Sequence, residues 1–343
     1  MEKISNKKLN NMVKKTKETA MSFPQDIKDP LYVVCVISNT QRYSSRYKLY
    51  KEFEKHMKCS GAILVTVELA FGDRPFAVTE EKNPLHFQLR SLDEVWFKES
   101  LINYAVSRLP TNWKYMAWID ADVSFARPNW VQEALQMLQH YHVIQLFSHA
   151  TDLGPKYEPL NTWQSFMYQY QKCLEAGKDP IPYASKKNAY GYHIGTDIWH
   201  PGFAWACTRE AFNYFGRMID FAAVGSADYH MAAGLIGKIE RTVHAPQLKT
   251  YIDRLIGWQE RALRNIQKDV GYMPGTIYHY WHGKKTDRKY LDRWQILVRN
   301  NFDPNVDLSH DDRGIVNLTG NKPRLRDELR LYFQQRNEDS IDL

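Results

Sequence analysis

Apolar residues along the chain fall into short continuous runs that alternate with helical stripes. The run LYVVCVIS (31–38) is rich in β-branched residues and lacks polar alternation, the pattern of a strand buried on both faces. SSRYKLYKEFEKHM follows, with Tyr47, Tyr50, Phe53 and Met57 on one helical stripe. GAILVTVEL (61–69) is a second buried run. Strand, helix, strand predicts a βαβ unit and a parallel sheet. LDEVWFKESLINYAVSRLP (92–110) predicts a helix stopped by Pro110, YMAWID a third strand, NWVQEALQMLQHY a helix entered through Pro128, and HVIQLFS (142–148) a fourth strand.

From 151 to 199 the alternation breaks. A helix is expected around TWQSFMYQYQKCLEA, and GKDPIPYASKKNAYGYHIGTDIWHPG reads as a long aromatic loop, the kind that serves as a lid or binding loop. Regular pattern resumes with FAWACT (203–208) as a strand and with REAFNYFG and ADYHMAAGLIG (227–237) as helices. The last patterned features are YHYWHGKKTDRKYLDRW (278–294) and a helix with Leu325, Leu329 and Phe333 on one stripe. The expected fold is α/β, a mostly parallel Rossmann-like sheet flanked by helices, with an aromatic-rich insertion and a C-terminal helical tail. The expected division is a basic arm over 1–29, one catalytic domain over 30–295 with halves at 30–150 and 151–295, and a C-terminal extension over 296–343.

Composition narrows this modestly. With 343 residues, 43% hydrophobic and 25% charged, the chain is an ordinary globular protein and not a disordered one. Ten Trp and twenty-one Tyr suit either a Tyr-heavy core or a site for ring-shaped ligands. The net charge of +7 suits a polyanionic partner, whether nucleotide diphosphate, nucleic acid or acidic membrane, without choosing among them. Cys35, Cys59, Cys173 and Cys207 are scattered with no CxxC, which points to reduced structural cysteines. No run approaches the roughly 20 apolar residues of a membrane span, and the Lys-rich N-terminus has no apolar signal core. The expected location is the cytoplasm, of a bacterium or of a virus-infected cell.

The chemistry starts at WIDADVSF. Two carboxylates, Asp120 and Asp122, close an apolar strand, at the carboxyl end where open α/β sheets bind ligands. On a strand, residues i and i+2 share a face, so both would converge on one point. Buried and unpartnered, they would cost several kcal/mol, which Mn2+ or Mg2+ would relieve. Exposed loop aspartates, or a helix N-cap pair before Pro128, are the plainer alternatives.

An apolar strand ending in Asp-x-Asp after a βαβ opening resembles the GT-A glycosyltransferases, in particular the β-1,4-galactosyltransferase and polypeptide N-acetylgalactosaminyltransferase-like branch, with phage DNA-modifying members as a further comparison. The resemblance implies a metal held by Asp122 and His282, with His279 of HYWHGKK as a further ligand, and Asp120 on the donor. It implies that Lys284, Lys285 and Arg288 hold the diphosphate leaving group, and that Asn39, Arg42, Glu68, Arg90, Trp96 and Lys98 line the donor pocket. It makes Asp228 in GSADYH the catalytic base of an inverting transfer, although Ala227 stands where the family carries the first acid of a pair. Trp163, Tyr190, Tyr192, Trp199 and Trp205 become the acceptor side.

The activity so implied moves a sugar from a nucleoside-diphosphate sugar, a UDP-sugar foremost, to a hydroxyl on a glycan or on a hydroxymethylated pyrimidine in DNA. A metal-dependent nuclease or phosphoesterase, and a non-catalytic sugar-nucleotide-binding protein, are the alternatives from other classes.

Overall fold

The computed structural model describes residues 28–180, 199–242, 245, 247–290 and 292–343. The apolar runs become β1 (Leu31–Ser38) and β2 (Ile63–Phe71), with α1 (Ser44–Cys59) between them. Next come β3 (His86–Ser91), α2 (Lys98–Val106), β4 (Tyr115–Ile119), β5 (Val123–Phe125) and α3 (Trp130–Met137). They are followed by β6 (Val143–Gln145), β7 (His149–Leu153), β8 (Pro159–Ser165) and α4 (Phe166–Glu175). From residue 199 onward the order is β9 (Trp199–His200), β10 (Ala204–Thr208), α5 (Arg209–Phe215), α6 (Ala227–Leu235), α7 (Lys249–Ile266), β11 (Val270–Tyr272) and β12 (Thr276–His279). The chain then adds α8 (Trp294–Arg299), β13 (Leu308–His310), β14 (Val316–Leu318) and α9 (Pro323–Gln334).

A seven-stranded sheet runs in the order β11-β6-β10-β4-β1-β2-β3. β3, β2, β1 and β4 are parallel, and β10 is inserted antiparallel to both β4 and β6. β11 pairs parallel with β6. Alternation along β1 explains the layering. Leu31, Val33, Cys35 and Ile37 pack with Tyr50, Phe53 and Met57 of α1 and Trp130 of α3 on one face. Tyr32 and Val34 join α2, α4, α5, α6 and α7 on the other. A second sheet, β5-β12-β7-β8-β9, stands beside the first.

Several expectations shift. The helix foreseen over 92–110 is confined to Lys98–Val106. Before it, Ser91 Oγ accepts the Asp93 N–H, and Asp93 accepts the Leu318 N–H of β14, so this backbone is committed outside a helix. TWQSFMYQYQKCLEA begins as β8 and becomes helical only at Phe166, where the Ser165 side chain caps α4. Neither β3 nor α7 was anticipated. The residues beyond 295 are no appendage, since Leu308, Ile315, Val316, Leu325, Leu329 and Tyr332 lie in the same core as α2 and α6. Among the described residues no helix is long and apolar enough to cross a membrane.

Candidate functional site

β4 ends at Ile119, and Asp120, Ala121 and Asp122 form the turn that carries the chain from the large sheet into β5 of the small one. This corrects the expectation of two carboxylates on one strand face. Once the backbone leaves extended geometry the i, i+2 rule no longer applies, and the two side chains take separate partners. Asp120 pairs with Lys98, at the start of α2. Burial works against the Lys98 charge, but Asp120, Asp228 and Glu99 hold the ammonium well above its usual range.

Asp122 lies among Arg46, His279 and His282. Its Oδ2 accepts from Arg46 at 2.6 Å and is 3.5 Å from His282 Nε2, while Oδ1 is 3.9 Å from His279 Nε2. Asp122 and both histidines are about 5% exposed or less. Burial opposes its charge, yet the carboxyl is held well below the usual range, and with His282 neutral the charged partner that holds it there is Arg46. The backbone also ties the two motifs together, because the Tyr280 N–H donates to the Asp122 carbonyl at 2.8 Å.

Hydrogen bonds fix both imidazoles. His279 Nδ1 is 2.7 Å from Asp152 Oδ1 and donates to it, which leaves Nε2 as the nitrogen turned towards Asp122. The pairing follows from the parallel register of β12 on β7, in which His279 lies opposite Asp152. His282 Nδ1 donates to the Tyr280 carbonyl at 3.0 Å, and its Nε2 accepts from Arg288 at 2.7 Å. Burial, then Arg288, push the His282 imidazole well below its ordinary range, leaving it neutral.

A divalent cation fits this donor set. One oxygen of Asp122 and one nitrogen from each histidine lie within 4.8 Å of one another. Asp122 Oδ1 is buried with no hydrogen-bond partner, a state that costs free energy until something charged or polar meets it. The Asp152–His279 contact is the arrangement that orients a metal-binding histidine.

Asp228, in the first turn of α6, lies against Gly202: a Cβ there would be 2.5 Å from Asp228 Oδ2 and 3.1 Å from His200 Cε1. The structure thus groups Asp120, Lys98, Asp228 and His200. Sequence reasoning missed His200 and Asp152. His200 stacks on Phe203 at 3.8 Å, and its Nδ1 accepts the Gly202 N–H at 3.1 Å. Burial above all, with Lys285 and His279, pushes it well below its usual range. Trp163 packs edge-on to His200, and Trp199 tilts against Tyr229.

Other candidates are committed elsewhere. Trp205 is corrected: as part of β10 it stacks on Trp118 inside the sheet and is 3% exposed, so no ring can reach it. Glu68, expected to meet the nucleotide, gives its oxygens to the N–H groups of Ala77, Val78 and Thr79 and to the Thr79 hydroxyl. Asn39 braces the entry to α1, its amide donating to the Tyr43 carbonyl and its Oδ1 accepting the Tyr43 N–H. With Arg42 and Arg74, both residues line a hollow at the carboxyl ends of β1 and β2.

Arg90 donates to the carbonyls of Gly72 and Arg74 on the sheet edge. Lys285 is bound to Asp152 and lies over Trp163, which leaves Arg288 as the cation of its loop that touches a candidate ligand. Lys284 opens the 3₁₀ turn Lys285–Arg288. Trp96 lies beneath Arg336. Tyr190 and Tyr192 lie outside the described residues.

No family model and no curated protein matches the sequence. Solved structures do. The catalytic domain of Drosophila β-1,4-galactosyltransferase 7 in complex with xylobiose matches at 12% identity and a TM-score of 0.33, over 71% of this chain. This chain spans 65% of that one. A mutant of the same Drosophila enzyme with manganese, UDP-Gal and xylobiose matches at 13% identity and a TM-score of 0.35, over 73% and 70% of the two chains. A protein named as a nucleotide-diphospho-sugar transferase from Desulfovibrio desulfuricans G20 matches at 10% identity and a TM-score of 0.29, over 92% and 100%. At these scores, the chemistry of the site stands on its own residues.

Proposed function

We propose that the protein is a divalent-metal-dependent glycosyltransferase of GT-A type that moves a sugar from a nucleoside-diphosphate sugar to an acceptor hydroxyl. The observation that carries this is the convergence of Asp122, His279 and His282 on one point, with a buried unpartnered oxygen on Asp122, at the carboxyl end of β4. A cation bound by these three, Mn2+ or Mg2+, would neutralise charge on the departing diphosphate. Two imidazole nitrogens beside one carboxylate favour Mn2+.

The chain's own groups supply the rest. Asp120, fixed by Lys98, is placed to accept a hydroxyl of the donor's ribose or sugar. Arg288, which donates to His282 Nε2 here and would be released from it once that nitrogen took a cation, brings positive charge to the leaving diphosphate. Asp228 Oδ2, at Gly202, takes the acceptor proton as the acceptor oxygen bonds to the anomeric carbon and the bond to phosphate breaks. That assignment gives inversion. Trp163, partly exposed beside His200, offers a face to a ring-bearing acceptor, and a glycan suits it, whereas Trp199 points to the other side of the small sheet, onto Phe166 and Tyr229. The hydroxymethylated pyrimidine of DNA remains the second acceptor to assay.

The test is hydrolysis and transfer across a panel of sugar nucleotides with Mn2+, comparing wild type with Asp122→Ala. Losing a ligand of the cation removes several kcal/mol of transition-state stabilisation, a rate loss of at least about a hundredfold. The melting point should fall, because Arg46 loses a buried partner, so the rates are compared at a temperature where both proteins are folded. Equal rates in the two proteins, or no donor turned over, would sink the proposal. Binding of Mn2+ and UDP without turnover would leave a sugar-nucleotide-binding protein. Nicked DNA or freed phosphate without a donor would indicate a nuclease or phosphoesterase. Such enzymes commonly use a second metal, and among the described residues one metal-competent cluster is found.

A further inference from the structure

Beyond α9 the chain turns back onto the site. Asp339 accepts the N–H groups of Ser44 at 2.9 Å and Ser45 at 2.7 Å, capping the start of α1. The Ser45 hydroxyl donates to the Glu338 carbonyl at 2.8 Å, and the Trp281 indole N–H donates to the Ser340 carbonyl at 2.6 Å. These anchors carry the Glu338 side chain inside, where it is 6% exposed. Its carboxylate is 2.6 Å from Arg336 and 3.5 Å from Arg46. Arg46 is the same guanidinium that holds Asp122. Arg288 also bears on this carboxylate, and its own Nε is buried without a partner.

Two guanidiniums therefore hold one carboxylate beside the proposed cation site, and a third, Arg288, lies on His282 at that same site. A dication on Asp122 would face Arg46 across that residue's two oxygens, and one carboxylate cannot balance both. The missing charge is that of a polyanion, and guanidinium forks match phosphate oxygens. Lys285 cannot supply this seat while it is bound to Asp152.

We propose that the donor's diphosphate is received by Arg46, Arg288 and Arg336, and that Glu338 is a stand-in anion which holds Arg46 and Arg336 until the donor displaces it. Residues 336–340 form a strap that must release for the donor to enter. The inference rests on the metal-site reading above.

The test uses the full chain, Mn2+ alone and then Mn2+ with inorganic pyrophosphate, by titration calorimetry. Wild type is compared with Glu338→Gln, which removes the competing charge, and with Asp339→Asn, which loosens the strap at its other anchor. Mn2+ alone should still bind all three, with Asp339→Asn close to wild type, which also shows that the variants are folded. Pyrophosphate should bind both variants about tenfold more tightly, because the competent state no longer pays for strap release. In wild type, pyrophosphate should speed amide exchange over 337–340. Unchanged or weaker pyrophosphate binding in both variants, with those amides still protected, overturns the strap and leaves the metal site standing. No Mn2+ binding to wild type overturns the metal site and the strap with it.

Discussion

Asp152 lies opposite His279 where β7 pairs with β12, and its carboxylate also takes Lys285 and the Trp163 indole. Burial opposes its charge, but His279 and Lys285 hold the carboxyl well below the usual range. A cation held as proposed would feel Asp152 through His279, whose ring Asp152 orients. Asp152→Asn keeps the shape and removes the charge. The expected result is Mn2+ binding weakened by about ten- to a hundredfold, measured by electron paramagnetic resonance of free Mn2+, with His279 still in place.

Asp122 stood out because it follows an apolar run, which is where a strand delivers its side chain, whereas His279 and His282 were pointed to only by the resemblance of HYWHGKK, and the structure brings the three together. Asp152 was not legible, since its meaning comes from a strand pairing across 127 positions. Glu68 misled for the converse reason: an acid at a strand end suggests a ligand, but the nearby loop turned four donors onto it.

At the scale of elements, α6 and α7 approach closely at Gly234. A Cβ there would lie 2.8 Å from the Trp258 ring, which is buried and donates to the Arg217 carbonyl at 2.8 Å. Alanine would gain about 1 kcal/mol of helix propensity but overpack against a ring that cannot step aside, at about 1–3 kcal/mol. Gly234→Ala is expected to lower the denaturant midpoint without changing its slope, the net loss of stability reaching up to about 2 kcal/mol. A gain in stability would show that the ring moves freely.

The helix it packs on carried a readable signal, with Tyr251, Leu255, Trp258, Ala262 and Ile266 on one stripe. β3 carried a weaker one, because an edge strand with polar positions does not form an apolar run. The antiparallel sense of β10 was illegible in principle. A short apolar strand has no local mark of direction, and its sense follows from which elements lie on either side.

For the whole molecule, stability should depend on pH through Glu99. This residue is 2% exposed in the first turn of α2, and burial pushes its carboxyl up to about 8, against the pull of Lys98. The folded state thus retains a proton that the unfolded chain has lost. Between the ordinary carboxylate range and about pH 8, stability falls as pH rises. The loss is on the order of a few kcal/mol at most. Glu99→Gln, neutral throughout, should flatten that slope in melting curves taken from pH 5 to about pH 9. A wild type whose stability rises over this window, with the variant following it, would remove Glu99 as the cause.

The candidate site draws on Arg46, Lys98, Asp122, Asp152, Asp228, His282 and Glu338, which together span most of the chain. A chain emerging from the ribosome meets the cation's first ligand early and the last only when residue 282 has been made. Until residue 279 has been made the Asp122 carboxylate has Arg46 for company and no imidazole. If the proposed site holds a cation, its binding is withheld from every shorter nascent intermediate, and affinity for the ion becomes a late readout of assembly, one that a partly synthesised chain cannot mimic.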